Sequence, residues 1–513
     1  MNVPNTLRAL GFALAVASAS IITAGAQDAP ASKVLGPGAS APAMDRGLRA
    51  NDAPREPRGS AAAVQRASEP YVRGSLIVKF RPGTAEAARR TMLAQVDGTR
   101  TATPSYASFD IVSIDADADP EAVARRIGAQ PDVEYAQARY RVSPRLVPND
   151  PLYSRQWNYP AIDMERAWDI NPGASSSIIV AVIDTGVAYR SGSVPFNSRF
   201  PFRLEDNGPV FPALGVVTVP FAAAPDLAGP DRFVAPRDFI WDDSLPLDLD
   251  GHGTHVAGTI GQLTNNSLGV AGMAFNVRIM PVKVISSLWD QIFGSPFDGT
   301  DDVVARGVRY AVDNGAKVLN MSIGRTGPPA PVMQEAIAYA VSRGAFVVVA
   351  AGNDFLDGNP VERPADVAPL IAGMVSVGAI GRERVRAHYS STGSYVELAA
   401  PGGSSRQGGL DGLILQQTFD LDLVETYLFG PQQFRAPRFD SFVYEYFQGT
   451  SMAAPHVSGF AALLMQQGIT NPAAIEAVMK RYATDLGPAG RDDEYGHGLI
   501  NPRAALRGMG LVR

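Results

Sequence analysis

The sequence predicts an α/β protein, with a large C-terminal domain on a mainly parallel sheet and a small α+β domain before it. Three observations carry this. Apolar runs at residues 178–183, 277–285, 317–321 and 345–351 read as strands covered on both faces. Helical stretches lie between several of them, at 300–314 and 331–343, stopped by Gly315 and Gly344. Between residues 71 and 145, strand and helix signals run β-α-β-α-β in a much shorter space, the pattern of a small split βαβ domain.

Composition bounds the function. The chain has 513 residues, 46% apolar and 19% charged, enough for a large core and too apolar for a disordered or fibrous protein. A net charge of −6 and the lack of a basic stripe exclude a nucleic-acid partner. There is no cysteine, which excludes disulfides, thiolate catalysis and Cys-ligated metals.

Taken in order, Arg8, a modestly apolar run over 9–22 and Ala24-Gly25-Ala26 read as a secretory signal peptide, residues 1–26, cleaved after Ala26. Ser18, Ser20 and Thr23 dilute the run too far for a transmembrane anchor. Secretion, extracellular or periplasmic, is expected, with no membrane anchor once the signal is removed. Residues 27–70 hold 25 Ala, Pro, Gly or Ser among 44 positions and no aromatic, so a disordered linker is expected. In the small domain, 71–145, strands are expected at 76–80, 109–114 and 133–136, with Thr84 capping one helix and Asp119-Pro120 opening another. Pro144, Pro148 and Pro151 mark the boundary to the large domain, 146–513. Two long segments, 188–237 and 403–447, are rich in Pro, Phe and Gly and are expected to shape the rim of the site.

In parallel sheets reactive groups collect where strands end and helices begin. Three segments fit: Val182-Ile183-Asp184-Thr185-Gly186, Asp250-Gly251-His252-Gly253-Thr254-His255, and Gly449-Thr450-Ser451-Met452-Ala453-Ala454-Pro455-His456. A serine hydroxyl needs an imidazole to take its proton, and the imidazole needs a carboxylate to hold its tautomer. In this order and spacing the blocks resemble the subtilase family of secreted serine proteases. The resemblance runs over roughly residues 150–510, to a closing segment Tyr495-Gly496-His497-Gly498-Leu499-Ile500-Asn501. It implies a subtilisin-like three-layer domain, a ferredoxin-like inhibitory propeptide over 71–145, and a self-processed zymogen hydrolysing extended polypeptides through an acyl-enzyme.

The resemblance assigns Asp184, His252 and Ser451 to catalysis and Asn353 to the oxyanion hole. It assigns Ser322, Ile323, Gly324, Ala350, Ala351 and Gly352 to substrate-binding walls. Glu362 falls near the floor of the first specificity pocket, where a carboxylate favours Lys or Arg in the substrate; the alternative is an exposed loop Glu paired with Arg363. Leu263, Asn265, Leu268 and Val270 resemble a structural calcium loop, the alternative being a solvated turn, and no partner Asp is evident. No cofactor is expected for catalysis. His255, three residues after His252, lacks a third metal ligand and reads as structural, as do His388, His456 and His497. The propeptide is the one expected macromolecular partner besides substrates, and a monomer is expected. With a basic preference, Arg141 and Arg145 become candidate self-cleavage points. The rival reading is a secreted binding module on the same fold. It is disfavoured because Asp184, His252, Asn353 and Ser451 are all present.

Overall fold

The computed structural model describes residues 71–140, 146–205 and 207–510. The expected signal peptide (1–26), the linker (27–70), Arg141 and Arg145 lie outside the described residues. The chain divides between Tyr140 and Arg141 into two compact units.

The first unit holds β1 (Tyr71–Phe80), β2 (Thr99–Ala102), β3 (Asp110–Ser113) and β4 (Val133–Tyr140), with helices Glu86–Ala94 and Pro120–Gly128. The sheet order is β2-β3-β1-β4, and β1 pairs antiparallel with β3 and β4. Leu76, Val78 and Phe80, two apart on β1, meet Val112, Val133 and the helix residues Leu93, Val123 and Ile127 in one core. β2 is an addition to the expected pattern. All four of its side chains are exposed, so it carries no alternation to read. The expected Thr84 cap is corrected: the first helix starts after Ala85 without a side-chain cap, and the Thr84 hydroxyl donates back to Arg81 O at 2.9 Å. Asp119 does cap the second helix, accepting the Glu121 N–H at 3.0 Å with Pro120 at the first position.

The second unit contributes β5 (Ile179–Asp184), β6 (Gly192–Ser198), β7 (Gly215–Phe221), β8 (Arg237–Asp238), β9 (Arg278–Lys283), β10 (Val318–Met321), β11 (Phe346–Ala350), β12 (Met374–Ile380), β13 (Leu398–Pro401), β14 (Ile414–Phe419) and β15 (Phe442–Phe447). Seven of these form one sheet, β13-β12-β11-β10-β5-β9-β8, with every neighbouring pair parallel. Alternate side chains of β11 go to opposite faces. Phe346, Val348 and Ala350 join the core that includes helices His252–Gly261 and Thr450–Gln466; Val347 and Val349 join the core that includes Asp301–Asp313 and Pro331–Ser342. The result is three layers, helices over both faces of a parallel sheet.

The two long segments fold as antiparallel hairpins, β6–β7 and β14–β15. They hold each other: Phe439 N–H donates to Pro220 O at 3.0 Å, and the rings of Phe221 and Phe439 stack at 5.2 Å. Thr418 of β14 donates its hydroxyl to Gly251 O at 2.8 Å, which fastens the second hairpin to the start of the His252 helix. Among the described residues no helix is long and apolar enough to cross a membrane.

β9 ends in a fully buried Lys283, whose Nζ lies 2.8 Å from the equally buried Asp290 Oδ2 and donates to Leu247 O at 2.9 Å. Burial pushes Asp238, on the neighbouring strand, up to about 7 against the pull of Lys283. Removing the lysine leaves these carboxylates in an apolar setting. Lys283→Met, in a Ser451→Ala background that prevents self-digestion, is expected to cost about 3–5 kcal/mol in urea denaturation. A loss below about 1 kcal/mol would mean the cluster is held by something other than this charge.

Candidate active site

Because all strands of the sheet run one way, their carboxyl ends line one edge. Asp184 ends β5, Ser322 follows β10, and Ala351-Gly352-Asn353 follow β11; these three strands are neighbours. The two helices that begin at His252 and at Thr450-Ser451 pack on each other.

Asp184 is fully buried. Its Oδ1 accepts from His252 Nδ1 at 2.7 Å and from the Thr185 N–H at 2.8 Å, and its Oδ2 has no hydrogen-bond partner. A carboxylate on Nδ1 keeps the proton there and leaves Nε2 as the base. Burial pushes the imidazole pKa down, but Asp184 against the ring, with Asp250 and Asp248 behind, outweighs burial and holds it up at about 9.

Asp248, which the sequence reading did not single out, builds the start of this helix. Its buried carboxylate accepts from Thr185 Oγ1 (3.0 Å), Asp250 N (3.0 Å), Gly251 N (2.9 Å), Thr254 N (2.9 Å) and Thr254 Oγ1 (2.6 Å). The end of β5 and the first helical turn are thereby fixed to one group. Gly253 lets them close: a Cβ there would sit 2.1 Å from Gly186 O and 3.2 Å from Asp184 Cβ.

The Ser451 hydroxyl donates to Ser322 O at 3.2 Å. Asn353 is oriented by Thr450, another residue the sequence reading passed over. Its Oδ1 accepts the Thr450 N–H at 2.9 Å and the Thr450 hydroxyl at 3.0 Å, which leaves Nδ2 as the donor end, 3.8 Å from where a Gly449 Cβ would be. A side-chain amide donor beside the first N–H groups of a helix suits an oxyanion.

Ser322-Ile323-Gly324 and Ala350-Ala351-Gly352 leave the ends of adjacent strands, and Glu362 packs on the glycines of both. A Cβ on Gly352 would lie 2.1 Å from Glu362 Cγ, and one on Gly324 2.9 Å from Glu362 Oε2. Glu362 is only 5% exposed and its Oε2 has no hydrogen-bond partner. The exposed, Arg363-paired alternative does not form, because Arg363 bonds Asp366 instead. Burial, with Asp354 beside it, pushes the Glu362 carboxyl up to about 8.

The other histidines are structural in their contacts. His255 is buried, stacked on Phe447, with Nε2 3.2 Å from the carbonyls of Ile414 and Glu445. His456 Nδ1 bonds Met452 O at 2.8 Å, and His388 Nδ1 lies 3.1 Å from Ser404 Oγ. His497 donates its backbone N–H to Glu397 O at 2.8 Å.

Around residues 263–270 two nearly dry carboxylates converge. Asp150 accepts the N–H groups of Asn265 (3.0 Å) and Asn266 (3.2 Å). Asp226 accepts from Asn266 Nδ2 (2.7 Å), Val270 N (3.1 Å) and the Tyr444 hydroxyl (3.2 Å), and its carbonyl takes the Leu263 N–H at 2.9 Å. Leu268 N–H turns inward to Asn266 Oδ1 at 2.9 Å. Asp226 is an acid that the sequence reading did not connect with this loop. It is delivered by the segment containing the first hairpin, far from the loop in the chain.

The chemistry open to this site needs a neutral imidazole. A His252 held above its ordinary 6.5 therefore moves the acid limb of kcat/KM upward, and activity falls as pH drops through that raised value. Asp250→Asn removes one carboxylate from behind the ring and is expected to lower the limb toward 6.5. Superimposable pH profiles of the two proteins would remove Asp250 from the electrostatics.

The sequence profile of the Subtilase family matches residues 175–498, and that of the Fervidolysin N-terminal prodomain matches residues 57–138. The chain is similar to the "Thermophilic serine proteinase" of Bacillus sp. (strain AK1), at 31% identity over 83% of this chain and 86% of that protein. It is similar to an "Extracellular protease" of Xanthomonas campestris pv. campestris, at 32% identity over 76% and 62%. It is also similar to "Thermitase" of Thermoactinomyces vulgaris, at 32% identity over 70% and 99%. A solved protease from Pseudoalteromonas arctica PAMC 21717 superposes with a TM-score of 0.52 at 30% identity, covering 71% of this chain and 99% of its own. With a parallel three-layer fold behind a prodomain, the chain belongs to the subtilase family and is a subtilisin-like serine endopeptidase.

Proposed function

We propose that this endopeptidase is exported by its signal peptide, matures by cutting itself between residues 141 and 150, and then hydrolyses extended polypeptides with Ser451 as nucleophile. The observation that carries this reading is the 2.7 Å His252–Asp184 pair, its carboxylate sealed from water on the strand-end edge that Asn353 also occupies. Ser451 Oγ attacks the scissile carbonyl while His252 Nε2 takes its proton and passes it to the leaving amine. Water then cleaves the ester by the same proton route. Asn353 Nδ2 and the Ser451 N–H hold the oxyanion. Substrate main chain pairs along Ser322-Ile323-Gly324 and Ala350-Ala351-Gly352, and Glu362 forms the floor for a Lys or Arg side chain.

Intact mass and N-terminal sequence of the secreted protein test the maturation. The wild type is expected to start near residues 141–150 and Ser451→Ala to keep its prodomain. Prodomain retained on both would favour the binding-module reading, and removal from both would assign maturation to another protease. For specificity, the wild type is expected to prefer Arg over Phe and Leu peptides, and Glu362→Gln to cut that preference by about tenfold or more. An unchanged ranking would take Glu362 out of substrate selection.

We also propose a structural calcium ion in the loop at 263–270. Asp150 and Asp226 are 4% and 0% exposed and accept hydrogen bonds only from neutral N–H and O–H groups, so two buried carboxylates converge on one loop with no cationic hydrogen-bond donor. Burial pushes Asp226 up to about 6, the cost that a cation would relieve. Asp150, Asp226, Asn265 and the carbonyls of Leu263, Leu268 and Val270 would hold it, supplying a clip between the start of the unit and the loop. Calcium at about 100 times its Kd is expected to stabilise Ser451→Ala protein by about 2.7 kcal/mol relative to chelator. No calcium-dependent change in Tm would identify the loop as a hydrogen-bonded turn.

A further inference from the structure

The helix Thr450–Gln466 contains a proline, Pro455. In an α-helix the N–H of residue i bonds the carbonyl of residue i−4, so Pro455 leaves the carbonyl of Ser451 without its helical donor. That carbonyl belongs to the proposed nucleophile, in the first turn of a buried helix, where an unpaired acceptor is costly.

The missing donor comes from another layer. Ser322 Oγ, just past β10, donates to Ser451 O at 2.7 Å. The Ser322 hydroxyl accepts from Asn320 Nδ2 at 3.0 Å, and Asn320 Oδ1 accepts from Ser458 Oγ at 2.8 Å. Asn320 and Ser458 are fully buried and Ser322 is nearly so. The relay therefore runs in one direction, from the third turn of the helix through β10 and back to its first turn. Ser451 Oγ in turn donates to Ser322 O at 3.2 Å, so the two residues hold each other both ways.

We propose that Ser322 is a positioning residue for the nucleophile: its hydroxyl takes the place of the helix N–H that Pro455 lacks and fixes the peptide of Ser451 for attack. This is separate from any main-chain contact the same segment makes with substrate, and it rests on the reading of Ser451 as nucleophile. Without the hydroxyl, the Ser451 carbonyl swings to find another donor and carries its Cα and Oγ away from His252 and Asn353.

The test follows from helix geometry, because Pro455→Ala restores an N–H at i+4 to the same carbonyl. Ser322→Ala is expected to lower kcat on a peptide amide about tenfold with KM within about twofold, and Ser322→Thr, which keeps a hydroxyl, to retain most of kcat. In a Pro455→Ala background the Ser322→Ala loss is expected to shrink to about threefold or less. An equal loss in both backgrounds, or a loss carried by KM, would overturn the proposal. Should Ser322→Ala alone fail to mature, recovery of maturation in the double variant supports the proposal and failure to recover overturns it. Ser451→Ala, run alongside, separates the two readings. If it retains activity, the nucleophile assignment falls. If it is inactive while the cycle is additive, only the role of Ser322 falls.

Discussion

The site depends on one buried carboxylate that takes no part in bond making. Asp248 collects donors from the residue that follows β5, from the turn leading into the His252 helix and from the first turn of that helix. Burying that charge is expensive, and five hydrogen bonds offset the cost only while all the contributing segments stay in place. The geometry of Asp184 and His252 is thus set by a third acid that faces neither. The same charge, with Asp250, adds to the field that keeps the imidazole basic.

Much of this was legible in the sequence, and the reason is specific. β5, β9, β10 and β11 are covered on both faces, so they appear as unbroken apolar runs, and the candidate site residues stand at strand ends or helix starts, mostly in short Gly-rich blocks. β2 was illegible because nothing on it is buried, and β13 because Leu398-Ala399-Ala400-Pro401 has no β-branched or aromatic residue to mark a strand. Thr450 sits inside a recognised block and Asp248 two residues before another, yet their roles depend on partners in other segments, which no local pattern encodes. Asp226 is hidden more deeply, since it is brought to residues 263–270 from the segment that follows β7.

Glu362 shows the same boundary from the other side. Its type suggested a pocket floor or a solvated loop, and composition could not separate the two. Burial against Gly324 and Gly352 separates them, because each glycine lacks a side chain where the glutamate stem runs. A residue that reads as surface in one dimension is lodged between two strand ends in three. The hairpins follow this logic as well: the Pro- and Phe-rich segments look irregular because their partners are each other.

The helix Thr450–Gln466 is seventeen residues long, is buried along most of its length, and contains no Asp, Glu, Lys or Arg. Its one titratable group, His456, is pushed down to about 4 by burial and stays neutral across the working range. The partial positive charge at its start, where Ser451 lies, is therefore not opposed by any side chain of its own and is poorly reached by dissolved ions. The protein carries two electrical systems side by side. No side chain of this helix changes the field at its start as pH changes, whereas the cluster around His252 titrates, so pH reaches the site through the imidazole and not through the helix at whose start Ser451 lies.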